Sequence, residues 1–221
     1  MRIVLGSASP ARRTLLAAAG VPALVHPSTV DEDALIAAAG ERARDPWWIT
    51  EHLASAKAHD VAATLRADRP AGLGAADRVL VVGADSMLSF DGQVLGKARS
   101  AQEVRDRWAA MSGGSGVLVT GHVVVDVATA ASVAATVGTT IRFGAPDPEE
   151  LEAYIASGEP MAVAGSCTID GLGGPFIEGL DGDHTNVIGL ALPTLRSMLR
   201  SLGVRWTDLW APPVRATGGA S

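Results

Sequence analysis

A short apolar run, Arg78-Val79-Leu80-Val81-Val82-Gly83-Ala84, lies near the middle of the chain and ends at Asp85. Continuous apolar runs of this length are typical of a central strand that is buried on both faces of a sheet. Asp85 is the first charged residue after the run, so we expect it at the carboxyl end of that strand. Open α/β sheets bind their ligands at this end of their strands.

Strands and helices alternate on both sides of this run, which predicts an α/β protein. Two adjacent β-rich segments, 117–127 and 131–143, indicate that the sheet is mixed. We predict one domain over residues 1–210 and a flexible tail over 211–221, where the sequence reads APPVRATGGAS. The other predicted strands cover 2–5, 23–28 and 175–180, and the predicted helices cover 10–19, 50–65, 101–111, 148–157 and 193–202.

Charge and cysteine content restrict the partners and the compartment. The formal net charge is -6, which argues against a broad basic face for nucleic acid or an anionic membrane. Any anionic ligand must therefore meet a local cluster of cations. A single cysteine, Cys167, excludes an internal disulfide, and the chain has neither a signal peptide nor an apolar run long enough to span a membrane. We therefore expect a cytoplasmic protein.

Two arginines follow the first predicted strand in the stretch GSASPARR, Gly6 to Arg13. Ser9 is predicted to cap a helix that begins at Pro10, which places Arg12 where a capping box would have Glu or Gln. A cation at the N-terminus of a helix is unfavourable by about 0.3 to 1 kcal/mol because it opposes the helix dipole. Free N–H groups at the same end bind phosphate well. The stretch indicates a phosphate site, although two solvated arginines would give the same pattern.

Lysine occurs only at Lys57 and Lys97 in a chain that otherwise uses arginine. Lys57 is in register with Leu53, Val61 and Leu65 at multiples of four residues, which places it on the apolar face of its helix. A buried ammonium needs a carboxylate or a phosphate as a partner. A lysine that extends past the edge of the apolar face is the alternative.

Carboxylates at two strand ends are candidates for metal binding. Asp85 is suited to bind Mg²⁺ or to activate a water molecule, and Glu32, between Asp31 and Asp33, is suited to share the metal because hard cations prefer carboxylate oxygens. Either carboxylate is also compatible with a purely structural role in a turn. The histidines show no zinc-binding spacing.

Taken in order, these motifs resemble the Maf family of nucleoside triphosphate pyrophosphatases. The resemblance covers about Val4 to Val204. It is carried by LGSASPARRTLL, VDED, LASAKA, VVGADS, VLGKA, MSGGSG, GEPMAVAGSCTIDGLGG and DGDHTNVIGLALPTLRSML.

The resemblance implies a two-lobed, ITPase-like α/β fold with a cleft around an extended mixed sheet, and metal-dependent release of pyrophosphate from nucleoside triphosphates. The metal would be Mg²⁺ or Mn²⁺, bound by Asp85 and Glu32. Related proteins suggest a homodimer. By resemblance, the catalytic residues are Asp85 as general base, Lys57 and Lys97, and the substrate-binding residues are Ser9, Arg12, Glu32 and Asp170.

Departures from the family pattern leave some assignments open. Ala11 occupies the position of the first of two arginines, so Arg13 receives no role. The run Ser166-Cys167-Thr168-Ile169-Asp170 replaces the Tyr-Gly-Ile-Gln pattern of the branch that favours dTTP and UTP, so Asp170 leaves the preferred base open. Alternatives are a nucleotide-binding regulator of cell division that does not catalyse, and a nucleotidyltransferase that needs an acceptor. House-cleaning of modified nucleotides and signalling also stay open as roles.

Overall fold

A computed structural model describes residues 1–70 and 72–210 of the chain. Its strands are β1 Arg2–Leu5, β2 Ala23–Val25, β3 Val79–Phe90, β4 Gln93–Leu95, β5 Ser115–Asp126, β6 Ser132–Phe143 and β7 Ile177–Asp181. Its α-helices are α1 Pro10–Ala18, α2 Glu32–Ala39, α3 Pro46–Ala67, α4 Ala101–Met111, α5 Pro148–Ala156, α6 Glu159–Ala162, α7 His184–Ile188 and α8 Leu192–Ser201. Three short 3₁₀ helices cover Gly40–Arg44, Gly174–Phe176 and Trp206–Leu209. The predicted tail lies outside the described residues.

One mixed sheet organises the chain, which confirms the predicted fold class. Its strand order is β2-β1-β3-β5-β6-β7, and β4 pairs with β3. The pairs of β1 with β2 and with β3 are parallel, and the remaining pairs are antiparallel. Helix α3 packs on one face of the sheet, and helices α1 and α8 pack on the opposite face.

Strand β3 is longer than the sequence predicts. It continues past Asp85 to Phe90, so the expectation that Asp85 ends the strand is wrong. The pairing of β3 with β1 ends at Val82, within the apolar run, which continues to Ala84. Strand β4 occupies the same edge of β3 from Leu88 onward. Residues 83–87 therefore lie in a gap between β1 and β4, which we call the edge gap.

Helix α3 lies against the sheet at two glycines. A Cβ on Gly83 would overlap the carbonyl oxygen of Ala54 and lie 2.8 Å from the amide nitrogen of Ala58. A Cβ on Gly121, which pairs with Asp85 on the neighbouring strand, would overlap the backbone of Thr50. Both glycines lack the side chain that would separate the layers, so the α3 backbone approaches the edge gap closely.

We expect Gly83→Ala to destabilise the protein by at least about 2 kcal/mol, because the added methyl group meets backbone atoms of α3 that cannot move independently. Urea unfolding of the variant measures this loss. Gly96→Ala is the matched control, since a Cβ at Gly96 meets nothing within 4 Å, and its stability should stay within about 1 kcal/mol of wild type. Equal stability of the two variants would contradict the close packing of α3 on β3.

Several helix ends follow the predicted capping chemistry. Ser9 accepts a hydrogen bond from the Arg12 amide, and Asp147 forms a capping box with Glu150. Ser100 caps α4, but the carboxylate of Glu103 accepts from the Arg99 amide instead of completing the predicted box. Within the described part of the chain, none of the helices has the length and apolar character needed to cross a membrane.

The sequence prediction missed several short elements. Helix α2 begins within the acidic stretch at residues 31–33, and β4 and α7 lie between the predicted elements. Helix α3 also begins four residues before its predicted start, because Asp45 caps it and Pro46 opens it. These elements are short or are flanked by glycine, so their periodicity is weak.

Candidate active site

Three charged side chains meet at the edge gap. The ammonium Nζ of Lys57 donates a hydrogen bond of 2.6 Å to Oδ1 of Asp85 and lies 2.9 Å from Oε1 of Glu32. Lys57 and Asp85 are buried, whereas the Glu32 side chain is 49% exposed. The prediction that Lys57 points inward is therefore confirmed, and its partners are the two carboxylates that the sequence analysis selected.

Burial raises the pKa of the Asp85 carboxyl above its ordinary range. The largest effect is the cost of removing the carboxylate from water, which raises the pKa, and the negative charge of Glu32 raises it as well. The positive charges of Lys57 and Arg12 lower the pKa, but by less than burial raises it. A carboxylate with a raised pKa is a better proton acceptor. Asp85 therefore has the electrostatic surroundings that a general base requires.

Arg12 approaches the edge gap from the N-terminus of α1. Its guanidinium donates to the carbonyls of Gly189 at 2.9 Å and Ala84 at 2.8 Å, and to the hydroxyls of Ser7 and Ser86, both at 3.0 Å. A guanidinium has five N–H donors, and these four contacts leave one on Nη2 without an acceptor among the described residues. Arg12 is buried, and in this structure it links α1 to the loop at Ser7, to β3 and to the segment at Gly189. Its predicted contact with phosphate stays a prediction.

The charged groups reach β3 from opposite faces of the sheet. Side chains alternate along a strand, so Asp85 faces α3 whereas Ser86 faces α1. Lys57 accordingly binds Asp85 from the α3 side, and Arg12 binds Ser86 from the other side. Because no strand occupies the edge gap among the described residues, a ligand placed there lies within reach of both faces.

The other predicted site residues occupy two places. Ser9 is half-buried and uses its hydroxyl to cap α1. Lys97 and Asp170 are exposed, and Lys97 forms an isolated bridge with Ala164 at the start of the loop that carries Asp170. In the described residues, neither Lys97 nor Asp170 is hydrogen-bonded or ion-paired to the Lys57 cluster. Their assignment to the site stays a prediction.

Sequence reasoning missed the groups that hold Arg12. Ser7 and Ser86 lie in the quoted motifs GSASPARR and VVGADS, and their hydroxyl chemistry was available as a signal. No sequence pattern connects Arg12 to the carbonyl of Gly189, which lies 177 positions further along. His122 was also missed. Its Nε2 accepts a hydrogen bond of 2.9 Å from the amide of Ala191, two residues beyond Gly189.

His122 predicts a loss of stability in acid. Burial first, and the nearby Arg12 second, lower its pKa from 6.5 to about 4. As the pH falls, His122 therefore becomes protonated near pH 6.5 in the unfolded chain but only near pH 4 in the folded chain. We expect the free energy of unfolding to fall by about 3 kcal/mol across this window because of His122.

Urea unfolding between pH 7 and pH 4 measures this effect. His122→Gln is the matched variant, because its amide oxygen can accept from Ala191 but does not titrate. The variant should lack the His122 contribution to the pH dependence. Identical pH profiles for the two proteins would show that His122 does not control the acid response.

The donor set of the edge gap fits a hard divalent cation. In the described chain, Oδ2 of Asp85 and Oε2 of Glu32 accept no hydrogen bond. No group of three or more His, Cys, Asp or Glu residues able to hold a metal occurs within residues 1–70 and 72–210. Magnesium is commonly bound by one or two carboxylates together with substrate phosphates. Asp85 and Glu32 can therefore serve as the protein ligands of a metal that arrives with a phosphate group.

The fold and these contacts define an α/β protein with a charged cluster at a gap in its central sheet, suited to a small anionic ligand. The chain belongs to the Maf family, because the family described as Maf-like protein matches residues 2–202. This match confirms the family resemblance seen in the motifs.

Relatives of similar length support the same assignment. The chain is 50% identical over 211 residues to a protein of Streptomyces coelicolor, covering 96% of this chain and 95% of that one. It is 49% identical over 216 residues to a protein of Nocardia farcinica, with coverages of 96% and 98%. It is 47% identical over 218 residues to a protein of Saccharopolyspora erythraea, with coverages of 97% and 99%. All three relatives carry the name nucleoside triphosphate pyrophosphatase.

Proposed function

We propose that this chain hydrolyses nucleoside triphosphates to nucleoside monophosphate and pyrophosphate with the help of a divalent cation. The observation that carries the proposal is the cluster of Lys57, Asp85 and Glu32 at the edge gap. It combines a buried base, a buried cation and a two-carboxylate donor set. The names of the relatives support the same reaction.

The cation that we propose is Mg²⁺ or Mn²⁺, with Asp85 and Glu32 as its protein ligands. When bound, it supplies Lewis-acid stabilisation of the charge on the phosphate oxygens. Lys57 holds the two carboxylates together and offsets part of the triphosphate charge. Arg12 contributes its remaining N–H group, and Lys97 contributes an exposed ammonium.

In the proposed reaction, water attacks the α-phosphorus and its proton passes to Asp85. The bond between the α-phosphorus and the bridging oxygen breaks, and the bridging oxygen leaves with the pyrophosphate. Positive side chains stabilise the charge on the leaving group, which is the main requirement in phosphoryl transfer.

The test is an assay of the purified chain with Mg²⁺ or Mn²⁺ against canonical, deoxy and modified nucleoside triphosphates. Pyrophosphate and orthophosphate are measured separately, because only cleavage between the α and β phosphates yields pyrophosphate directly. We expect monophosphate and pyrophosphate, loss of turnover with excess EDTA, and recovery when the cation is restored. The panel also identifies the preferred base.

The other outcomes are distinct. Tight nucleotide binding without product would indicate the regulatory nucleotide-binding protein instead. Turnover that appears only when an acceptor is added would indicate a nucleotidyltransferase. Orthophosphate as the primary product would place the cleavage at the γ-phosphate and contradict the proposal. Activity that survives EDTA would contradict the proposed need for a cation.

A further inference from the structure

Arg107 joins three separate parts of the chain from within α4. Its guanidinium donates to the carbonyl of Gly96 at 2.7 Å, to the hydroxyl of Ser166 at 3.2 Å and to the carboxylate of Glu103 at 2.6 Å. Its side chain is only 9% exposed. Gly96 directly precedes Lys97, so this half-buried cation contacts the backbone next to one of the proposed catalytic residues.

The Arg107–Glu103 ion pair holds the Lys97 segment on both sides. On one side, the carbonyl of Gly96 accepts from Arg107. On the other side, the second carboxylate oxygen of Glu103 accepts a hydrogen bond of 2.8 Å from the amide of Arg99. Lys97 lies between these anchors and is itself exposed. The backbone of Lys97 is therefore fixed while its ammonium stays accessible.

The same guanidinium holds the loop that leads to Asp170. Ser166 is fully buried and has a φ of 59°, in the left-handed region that side chains rarely adopt. The indole of Trp108 donates to the Ser166 carbonyl at 3.1 Å, so consecutive residues of α4 bind the hydroxyl and the carbonyl of Ser166. The amide of Gly165 also donates to the carbonyl of Gly96, at 3.1 Å.

We propose that Arg107 is a positioning residue that sets Lys97 and the Asp170 loop relative to one another, so that both act on the same nucleotide. This inference rests on the proposed function. A planar guanidinium suits the task, because its fork donates to several acceptors in fixed directions. A lysine at this position would keep the charge but reach fewer acceptors at once.

The test is a double-mutant cycle between Arg107→Met and Lys97→Met. We measure kcat and KM, and the dissociation constants of α,β-methylene nucleoside triphosphates, which cannot be cleaved at the reactive bond. Arg107→Met alone should lose about 10-fold or more in kcat/KM or affinity, because small displacements of a charged group are costly. In the Lys97→Met background, the same change should cost at least about 3-fold less, because one of the two groups that it positions is absent.

Arg105→Met is the matched control on the same helix. Arg105 forms an exposed ion pair with Glu152, so its loss should leave kinetics and binding at the wild-type level. Arg107→Lys serves if Arg107→Met does not fold, and it should recover only part of the activity.

Each outcome decides the inference. A loss that is the same in both backgrounds would assign Arg107 a general structural role and overturn the inference, as would wild-type behaviour of Arg107→Met. If the wild-type chain hydrolyses the triphosphate but the losses of Arg107→Met and Lys97→Met simply add in the double variant, this inference is overturned and the proposed function is not. A wild-type chain that neither hydrolyses nor binds a triphosphate would overturn the proposed function, and this inference with it.

Discussion

Replacing Asp85 by asparagine should abolish nearly all turnover while leaving the fold intact. Asparagine has the shape of aspartate and retains an oxygen for the hydrogen bond from Lys57, but it is not basic and is a poor ligand for a hard cation. Loss of a general base alone typically costs 10²- to 10⁴-fold. We therefore expect kcat to fall by at least about 10³-fold, measured as pyrophosphate release under saturating triphosphate.

Stability measurements separate this loss from unfolding. Burial raises the pKa of Asp85, which means that the fold carries a cost for keeping this carboxylate charged. Asp85→Asn removes that cost together with the attraction of Lys57, so we expect its urea midpoint to stay close to wild type. Near-normal turnover in a well-folded Asp85→Asn protein would remove Asp85 from the mechanism.

Sequence periodicity predicted the position of Lys57 correctly. Its neighbours at four-residue spacing, Leu53, Val61 and Leu65, are buried as expected. A helix fixes which side chains share a face, so the inward direction of Lys57 follows from local geometry. The identity of its partners does not follow, because the pairing of Lys57 with Glu32 and Asp85 depends on how α2, α3 and β3 pack together.

The end of β3 was predicted wrongly for a physical reason. The pattern treats a charged residue as the end of a buried strand, because an isolated buried charge is costly. Asp85 is tolerated within β3 because Lys57 lies 2.6 Å from it. Gly83 and Gly121 allow α3 to come this close, but nothing in a single sequence shows that a helix packs against these two glycines. Local patterns therefore predicted the longer elements and selected the three charged residues that meet at the edge gap, but not the contacts between them.

Replacing Lys57 by methionine should cause the largest combined loss of stability and activity. The substitution preserves the length and apolar stem of the side chain but leaves the carboxylates of Asp85 and Glu32 facing each other without their cation. Removing one partner of a buried ion pair costs 3–5 kcal/mol, and the half-exposed Glu32 places this site near the lower end, at about 3 kcal/mol. Urea unfolding measures the loss, and turnover should fall by at least about 10²-fold.

Two further variants show whether charge or shape is responsible. Lys97→Met removes the only other lysine, which is exposed, so it should leave stability within about 0.5 kcal/mol of wild type. The double variant Lys57→Met/Asp85→Asn removes the uncompensated carboxylate as well, so it should regain most of the stability that Lys57→Met loses while staying inactive. If the double variant is no more stable than Lys57→Met, the loss comes from packing, and Lys57 does not act as the counter-ion of Asp85.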